Sequence, residues 1–386
     1  MTIDGVTTVL SALTAALAAT GLLAYAWDRR RILGRALLVT GVLLSVTGTA
    51  ALQLNRLTET FPTWSALFGR SAGVEQEAPV TQPAGPTDPG LPVGPADPRT
   101  SGPAGRLVSY VVPGTASGMT MPMTVYLPGA YSTPQGARLR FPVIEALHGY
   151  PGTPDAWIRR LDVKRYLDRE IAAGRMAATV VLFPYQTTNS LLDTECTDLA
   201  RGPHAETYLI LDVPRWAKDH LRIRPERAAW GLVGYSAGGF CAMNLALRHP
   251  DRYGAGASLS GYADPGIKVG DGSEKTTNNV AWRMMHLAPV PVSLYVAWAA
   301  DETAARRGSR QVVALARPPT LVTTATLPHG GHSLAVWRQM EAPAFDWLSA
   351  HLARADPIAA APGKRPPPGR GQPGGRHPGH QPPGFA

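Results

Sequence analysis

The sequence has few cysteines and few charged residues, and both shortages restrict the class of protein. Cys196 and Cys241 are the only two cysteines among 386 residues, and charged residues make up 17% of the chain. Two cysteines exclude a cysteine-rich scaffold and a metal site built from several cysteines. The hydrophobic fraction of 44% is sufficient for a globular core. The length allows one domain of about 200–250 residues with additional segments, or two smaller domains.

The net charge of +9 is concentrated at the two ends of the chain. Residues 1–56 carry five arginines and two aspartates, and residues 353–386 carry five basic residues and one aspartate. Only a net charge of +2 is left for all the residues between these two segments. Because no basic surface is concentrated in the central part, we expect no nucleic-acid-binding domain.

Two long segments without any charged residue lie near the N-terminus, at residues 5–27 and 36–55. Each is about the length needed to cross the hydrocarbon core of a bilayer. Four arginines lie between them, so the positive-inside rule places that loop in the cytoplasm and both termini outside. No basic region precedes the first segment, which fits a cleaved signal peptide poorly. The sequence predicts a membrane anchor of two transmembrane helices at residues 1–56, in the cell membrane; one spanning and one peripheral helix is the alternative.

Proline and glycine are concentrated on both sides of a long central region. Residues 57–106 are predicted to be a Pro/Gly-rich linker, and residues 353–386 a disordered Pro/Gly/Arg-rich tail. Between them, short apolar runs alternate with amphipathic stretches over residues 107–352, which predicts one extracytoplasmic α/β domain with a mostly parallel sheet covered by helices on both faces. The predicted strands are 107–112, 121–127, 142–147, 179–184, 228–233, 255–260, 292–298 and 320–327, and the predicted helices are 156–173, 205–221, 237–249, 302–316 and 333–352.

The clearest motif is a serine between a predicted strand and a predicted helix. Ser236 lies at the centre of Gly234-x-Ser236-x-Gly238, the spacing of a nucleophile elbow. The turn is strained and its backbone is crowded, so it requires glycine on both sides of the serine. The elbow exposes the serine hydroxyl and leaves the N–H of Ala237 free at a helix N-terminus.

A nucleophilic serine needs a base and an acid that orients the base, which follow it in the order serine, acid, histidine. His332 is the predicted base, because it follows two glycines after the last strand and directly precedes the last helix; His329 is the competing histidine. The acid is expected after the strand at residues 292–298. Asp301 is the first choice there, and Glu302 is the alternative.

The tetrahedral intermediate also needs two backbone donors for its oxyanion. One is the N–H of Ala237, at the start of the helix after the elbow. The second is expected in the loop after an early strand, where His148-Gly149 presents the N–H of Tyr150. On this assignment His148 shapes the loop and is not the base.

In three stretches the chain resembles the putative-esterase family of α/β-hydrolases. This family includes esterase D, S-formylglutathione hydrolase, feruloyl esterases and the secreted mycolyltransferases of actinobacteria. The stretches are His148-Gly149, the run from Gly234 to Gly239, and Gly330-Gly331-His332-Ser333 with Trp337-Arg338. The resemblance covers about residues 107–352 and implies the α/β-hydrolase fold. By position, the resemblance implies the roles already assigned to Ser236, His332 and Asp301 and to the N–H groups of Tyr150 and Ala237. The acid is the residue that matches the family least closely, since its position varies among relatives.

A segment with three carboxylates, Asp193, Glu195 and Asp198, follows the strand at residues 179–184. It is interpreted as a solvated loop tethered by a disulfide, with a Ca²⁺ site or a substrate cleft as alternatives. Cys241 lies five residues after Ser236 on the helix that follows the elbow. In an oxidising extracytoplasmic compartment, a Cys196–Cys241 disulfide would fix this loop beside the site.

Together these features predict a membrane-anchored serine esterase that acts on small-molecule, lipid or glycan esters through an acyl-enzyme. The mechanism requires no metal and no organic cofactor. One alternative is an acyltransferase that acts on envelope glycolipids, for which a sugar alcohol would outcompete water. The other is a non-catalytic surface binding domain, which a histidine out of reach of Ser236 would favour.

Overall fold

The structure is a computed structural model that describes residues 6–29, 31–58, 104–189 and 191–358. Most of the predicted linker, 57–106, and most of the predicted tail, 353–386, lie outside the described residues. The strands are β1 (Arg106–Val112), β2 (Met121–Leu127), β3 (Leu139–Arg140), β4 (Val143–Leu147), β5 (Val180–Pro184), β6 (Trp230–Tyr235), β7 (Ala255–Leu259), β8 (Ser293–Ala299), β9 (Leu321–Leu327) and β10 (Asp356–Pro357). The longer helices are α1 (Val6–Ala26), α2 (Ile32–Thr58), α3 (Val163–Ala172), α4 (Val213–His220), α5 (Ala237–Arg248), α6 (Val280–His286), α7 (Thr303–Leu315) and α8 (Leu334–His351).

An eight-stranded sheet in the order β1-β2-β5-β4-β6-β7-β8-β9 forms the centre of the domain. β2 is antiparallel to both β1 and β5, and every other pair of neighbours in this sheet is parallel. Its strands are the eight predicted from the sequence, with each end within two residues of its predicted position. The predicted α/β-hydrolase fold, with its mostly parallel sheet, is therefore confirmed.

The sheet separates two hydrophobic cores, and β4 contributes to both of them. Val143 and Leu147 belong to one core, whereas Ile144 and Ala146 belong to the other. Successive side chains of a strand point to opposite faces, so a strand covered by helices on both faces is expected to be mainly apolar. This explains why the central strands are mainly apolar, with Glu145 of β4 as a buried exception.

One predicted helix is interrupted in the structure, and another is continuous but contains a π-helical turn. The predicted helix at 156–173 divides into a π-helical turn, Ala156–Arg160, and α3, because Asp162 between them has a left-handed φ of 56°. The predicted helix at 205–221 contains a π-helical turn, Tyr208–Asp212, before α4. Pro214 lies in the first turn of α4 and has no N–H to donate to the preceding turn.

Helix α6 has no counterpart among the predicted helices. The Asn279 side chain accepts a hydrogen bond from the Trp282 N–H and caps α6.

The residues directly after position 352, the predicted end of the domain, contact the domain. The Ala353 N–H donates to the carbonyl of Ala228, and β10 pairs with β3. The first residues assigned to the tail therefore belong to the folded domain.

Two candidate membrane spans lie near the N-terminus, each with a mean hydropathy of 1.8: Thr7–Arg29, which covers most of α1 and the turn after it, and Ile32–Leu54, which lies in α2. Large apolar side chains such as Leu17 and Leu44 are exposed on them. Length, composition and exposure fit membrane spans, and a signal sequence near the N-terminus has the same properties.

Glu341 is a carboxyl group buried on α8, in the core of the domain. Neither of its carboxyl oxygens has a hydrogen-bond partner within the described part of the chain. Burial disfavours the charged form and raises the pKa of Glu341 to about 9. Between its ordinary value of 4.5 and this value, the group is protonated when folded and ionised when unfolded.

We expect the substitution Glu341→Gln to stabilise the chain at pH 8 by roughly 4 kcal/mol more than at pH 5. A raised folded-state pKa gives stability that is complete below pH 4.5 and lost as the pH rises towards 9. Glutamine does not titrate, so it removes this loss. Urea unfolding of the detergent-solubilised full chain at both pH values measures the difference. Equal effects at pH 5 and pH 8 would contradict the assignment.

Candidate active site

Ser236 occupies a strained turn between β6 and α5. Its φ of 55° lies in the left-handed region, which is uncommon for a residue with a side chain. A Cβ atom at Gly234 would lie 2.0 Å from the carbonyl oxygen of Gly238, and one at Gly238 would lie 2.2 Å from the carbonyl oxygen of Leu147. Both glycines of the motif are therefore required by close backbone packing, which forces the chain to turn sharply at the serine.

His332 contacts Ser236 directly. Its Nε2 atom lies 2.7 Å from the serine Oγ, and the ring packs edge-on against Trp337 of α8, with 4.9 Å between ring centroids. The imidazole is held in the loop between β9 and α8, in which Gly330 and Gly331 both have positive φ. The competing histidine of the sequence analysis, His329, is exposed. The structure thus brings His332 to the serine.

The carboxylate that contacts His332 is Glu302, and the preference for Asp301 is corrected on this point. Nδ1 of His332 is hydrogen-bonded to Oε1 of Glu302, which is 5% exposed. Asp301 instead accepts hydrogen bonds from the N–H groups of Gly330 and Gly331, at 3.1 and 3.0 Å. Neighbouring residues in the turn after β8 point in different directions, and only the second of the two carboxylates reaches the imidazole.

The 148–150 loop follows β4 and packs against the serine. A Cβ atom at Gly149 would lie 3.2 Å from the Cβ atom of Ser236, so the backbone of this loop lies beside the nucleophile candidate. Tyr150 follows directly, and its hydroxyl donates to the carbonyl of Leu191 at 2.9 Å. Ala237 is the first residue of α5. The roles of the Tyr150 and Ala237 N–H groups as oxyanion donors stay predictions.

His148 is a buried imidazole that stabilises this loop. Burial lowers the pKa of His148 to about 4, so the ring is neutral at pH 7. Its Nδ1 atom lies 2.9 Å from the carbonyl oxygen of Gly149 and donates to it. That carbonyl belongs to the same peptide unit as the N–H of Tyr150. His148 therefore holds the peptide that carries the predicted donor.

The predicted disulfide is present in the structure, between Cys196 and Cys241. It joins α5 to residues 185–198, which we call the cystine loop; residue 190 lies outside the described residues. The carboxylates of this loop accept hydrogen bonds from nearby groups: Asp193 from the Glu195 N–H, Asp198 from Thr207, and Glu195 from the Tyr262 hydroxyl. In the described ranges, no cluster of three or more His, Cys, Asp and Glu residues is arranged for a metal ion.

Gln186 is a residue of this region that the sequence analysis did not identify. It is 5% exposed and donates from Nε2 to the carbonyl of His148 at 3.1 Å. A single glutamine after a strand matches no motif, so no signal in the sequence marks it.

Comparisons with known proteins agree with this fold. An uncharacterised protein of Corynebacterium glutamicum is 26% identical over 267 residues, which are 64% of this chain and 62% of the relative. A 65-residue stretch, 17% of this chain, is 35% identical to the diacylglycerol acyltransferase/mycolyltransferase Ag85A of Mycobacterium leprae, covering 19% of that protein. The chain thus spans less than two thirds of the length of the curated relatives it matches.

A solved ferulic acid esterase has a similar structure, with a TM-score of 0.54, 20% identity, and coverage of 64% of this chain and 97% of that one. At this identity the similarity shows the fold alone. Residues 114–359 match the model of a family described as putative esterase, which is more than half of the chain. The chain therefore belongs to the putative esterase family and is an esterase-type α/β-hydrolase.

Proposed function

We propose that this chain is a membrane-anchored serine esterase that hydrolyses carboxylic esters through an acyl-enzyme intermediate. The observation that carries the proposal is the hydrogen-bonded series from Ser236 Oγ to His332 and on to Glu302, at the carboxyl edge of the sheet. A serine, a base and a carboxylate in this order are the components of nucleophilic acyl transfer. The family membership supports the reaction class, and the contacts between these side chains support the proposed mechanism.

In the proposed mechanism, His332 accepts the Ser236 proton on Nε2 while Oγ attacks the ester carbonyl carbon. Glu302 accepts the hydrogen bond from Nδ1–H and stabilises the imidazolium that forms. The N–H groups of Tyr150 and Ala237 bind the oxyanion of the tetrahedral intermediate. His332 then protonates the leaving alcohol. Water, activated by the same imidazole, releases the carboxylic acid from the acylated Ser236.

Labelling with a fluorophosphonate tests the proposed nucleophile, because this probe reacts with activated serines. The full chain in detergent should be labelled, and Ser236→Ala and His332→Ala should each abolish labelling. Ser109→Ala changes an exposed serine on β1 and is the matched control, which should label normally. A folded but unlabelled wild-type chain would refute the serine mechanism and support the alternative, a non-catalytic binding domain.

Membrane anchoring and an extracytoplasmic site rest on α1, α2 and the arginines between them. The Cys196–Cys241 disulfide fits an oxidising compartment and supports the same orientation. The full chain should remain in the membrane pellet after an alkaline carbonate wash, and protease added to spheroplasts should digest the domain. Release by carbonate, or protection from the protease, would refute this part of the proposal.

A second candidate activity is acyl transfer, which the local similarity to the diacylglycerol acyltransferase/mycolyltransferase Ag85A favours. Its acceptor is a sugar alcohol, as in the alternative drawn from the sequence. The acyl-enzyme would be the same, and an alcohol would replace water in the second step. Product analysis with an activated ester separates the two activities: free acid should dominate even at high glucose concentration if the chain is a hydrolase. Predominant glucose ester would establish the transferase.

A further inference from the structure

Gln186 connects two loops that leave the sheet at the same edge. It follows β5, which is the neighbour of β4 in the sheet, so it lies beside the 148–150 loop. Its Nε2 donates to the carbonyl of His148, and its Oε1 lies 3.5 Å from Sγ of Cys196 and 4.0 Å from Sγ of Cys241. The side chain is therefore enclosed between the 148–150 loop and the disulfide.

Two hydrogen bonds in series hold the backbone that leads to the Tyr150 N–H. Gln186 fixes the carbonyl of His148, and the His148 ring fixes the carbonyl of Gly149, which shares a peptide unit with the Tyr150 N–H. Without Gln186, the buried carbonyl of His148 would lose this donor, and the loop would have to move to find another. The position of the predicted oxyanion donor therefore depends on a side chain outside its own loop.

The cystine loop gives Gln186 a stable position relative to the nucleophile helix. Thr194 Oγ1 donates to the main-chain carbonyl of Gln186 at 2.8 Å. Glu195 accepts from the hydroxyl of Tyr262, whose ring stacks on Phe240 of α5. The disulfide joins the same loop to α5 a second time. Helix α5 also begins with Ala237, the other predicted donor.

We propose that Gln186 is a positioning residue, which aligns the Tyr150 N–H with the Ala237 N–H by tying the 148–150 loop to the disulfide-linked cystine loop. The inference rests on the proposed function, because it assigns Gln186 to the oxyanion site of that reaction. It adds a residue that touches neither substrate nor nucleophile and acts through the backbone of another loop. A donor displaced by a fraction of an ångström stabilises the transition state less, while substrate binding is little affected.

The test compares Gln186→Met with Thr187→Val in the full chain. Methionine keeps the volume and removes the donor to His148. Thr187 is a buried neighbour in the same loop whose hydroxyl bonds only to Asn189 in the described chain, so it is the matched control. We expect Gln186→Met to lower kcat about 10-fold with KM unchanged, and Thr187→Val to change neither. Gln186→Asn, which keeps an amide but is too short, should behave like Gln186→Met.

Hydrogen exchange of the 148–152 segment, read by mass spectrometry, provides a measurement that does not require catalysis. Exchange should be faster in Gln186→Met than in the wild type and unchanged in Thr187→Val. If kcat and exchange are unchanged, or if both variants lose the same activity and melting temperature, Gln186 is merely structural and the inference is wrong. If the wild type has no esterase activity but the exchange difference is present, the link between the loops stands and the proposed function fails.

Discussion

Ser236→Ala and His332→Ala are each expected to lower kcat for an activated ester by about 10⁶-fold, and the double variant should lose no more than either single variant. The reason is that Nε2 of His332 and Oγ of Ser236 form one hydrogen-bonded unit, so removing either group disables proton transfer and attack together. Additive losses would mean that the two residues act independently.

The measurement is steady-state hydrolysis of a nitrophenyl ester by the full chain in detergent. Ser109→Ala is again the control, and each variant should keep the melting temperature of the wild type to within a few degrees. A Ser236→Ala chain that retains more than about a thousandth of the wild-type activity would contradict the assignment, because a chain without its nucleophile should keep only about a millionth of the wild-type rate, the part that the oxyanion site and substrate binding supply.

Glu302→Gln is expected to lower kcat by about 10⁴-fold, the loss typical of a triad acid converted to its amide. The Nδ1–H of His332 now donates to Oε1 of Glu302, which leaves Nε2 free to accept the serine proton. A glutamine can present its amide N–H to Nδ1 instead, which places the imidazole proton on Nε2. In that tautomer the ring cannot act as the base.

Asp301→Asn is the matched control, since it makes the same carboxylate-to-amide change at the adjacent residue. Asparagine keeps one oxygen that can accept from Gly330 or Gly331, so the loss should stay within about tenfold. The measurement is kcat of the wild type, Glu302→Gln and Asp301→Asn, determined at each pH from 5 to 9. A larger loss in Asp301→Asn than in Glu302→Gln would show that the aspartate is the acid and that the observed pairing is not the catalytic one.

Local patterns were sufficient to predict the eight strands of the main sheet and the position of the elbow. Runs of five to seven mainly apolar residues mark strands covered on both faces, because both rows of their side chains are buried. Gly234 and Gly238, on either side of Ser236, indicate a turn whose neighbouring backbone leaves no room for a Cβ atom at either position. The helices were less predictable in detail: a left-handed Asp162 divides one predicted helix, and a π-helical turn precedes Pro214 inside another that is otherwise continuous.

The sequence by itself determined the order of the strands along the chain, the serine turn, the two apolar N-terminal helices and a cysteine pair suited to a disulfide. These features depend on composition and on neighbours along the chain. Only the tertiary structure decided that Glu302 contacts His332, whereas Asp301 accepts hydrogen bonds from the two glycines before that histidine. It also decided that Gln186 contacts the 148–150 loop. These contacts join residues about 30 or more positions apart, so they depend on the direction of each side chain after folding, which no local pattern encodes.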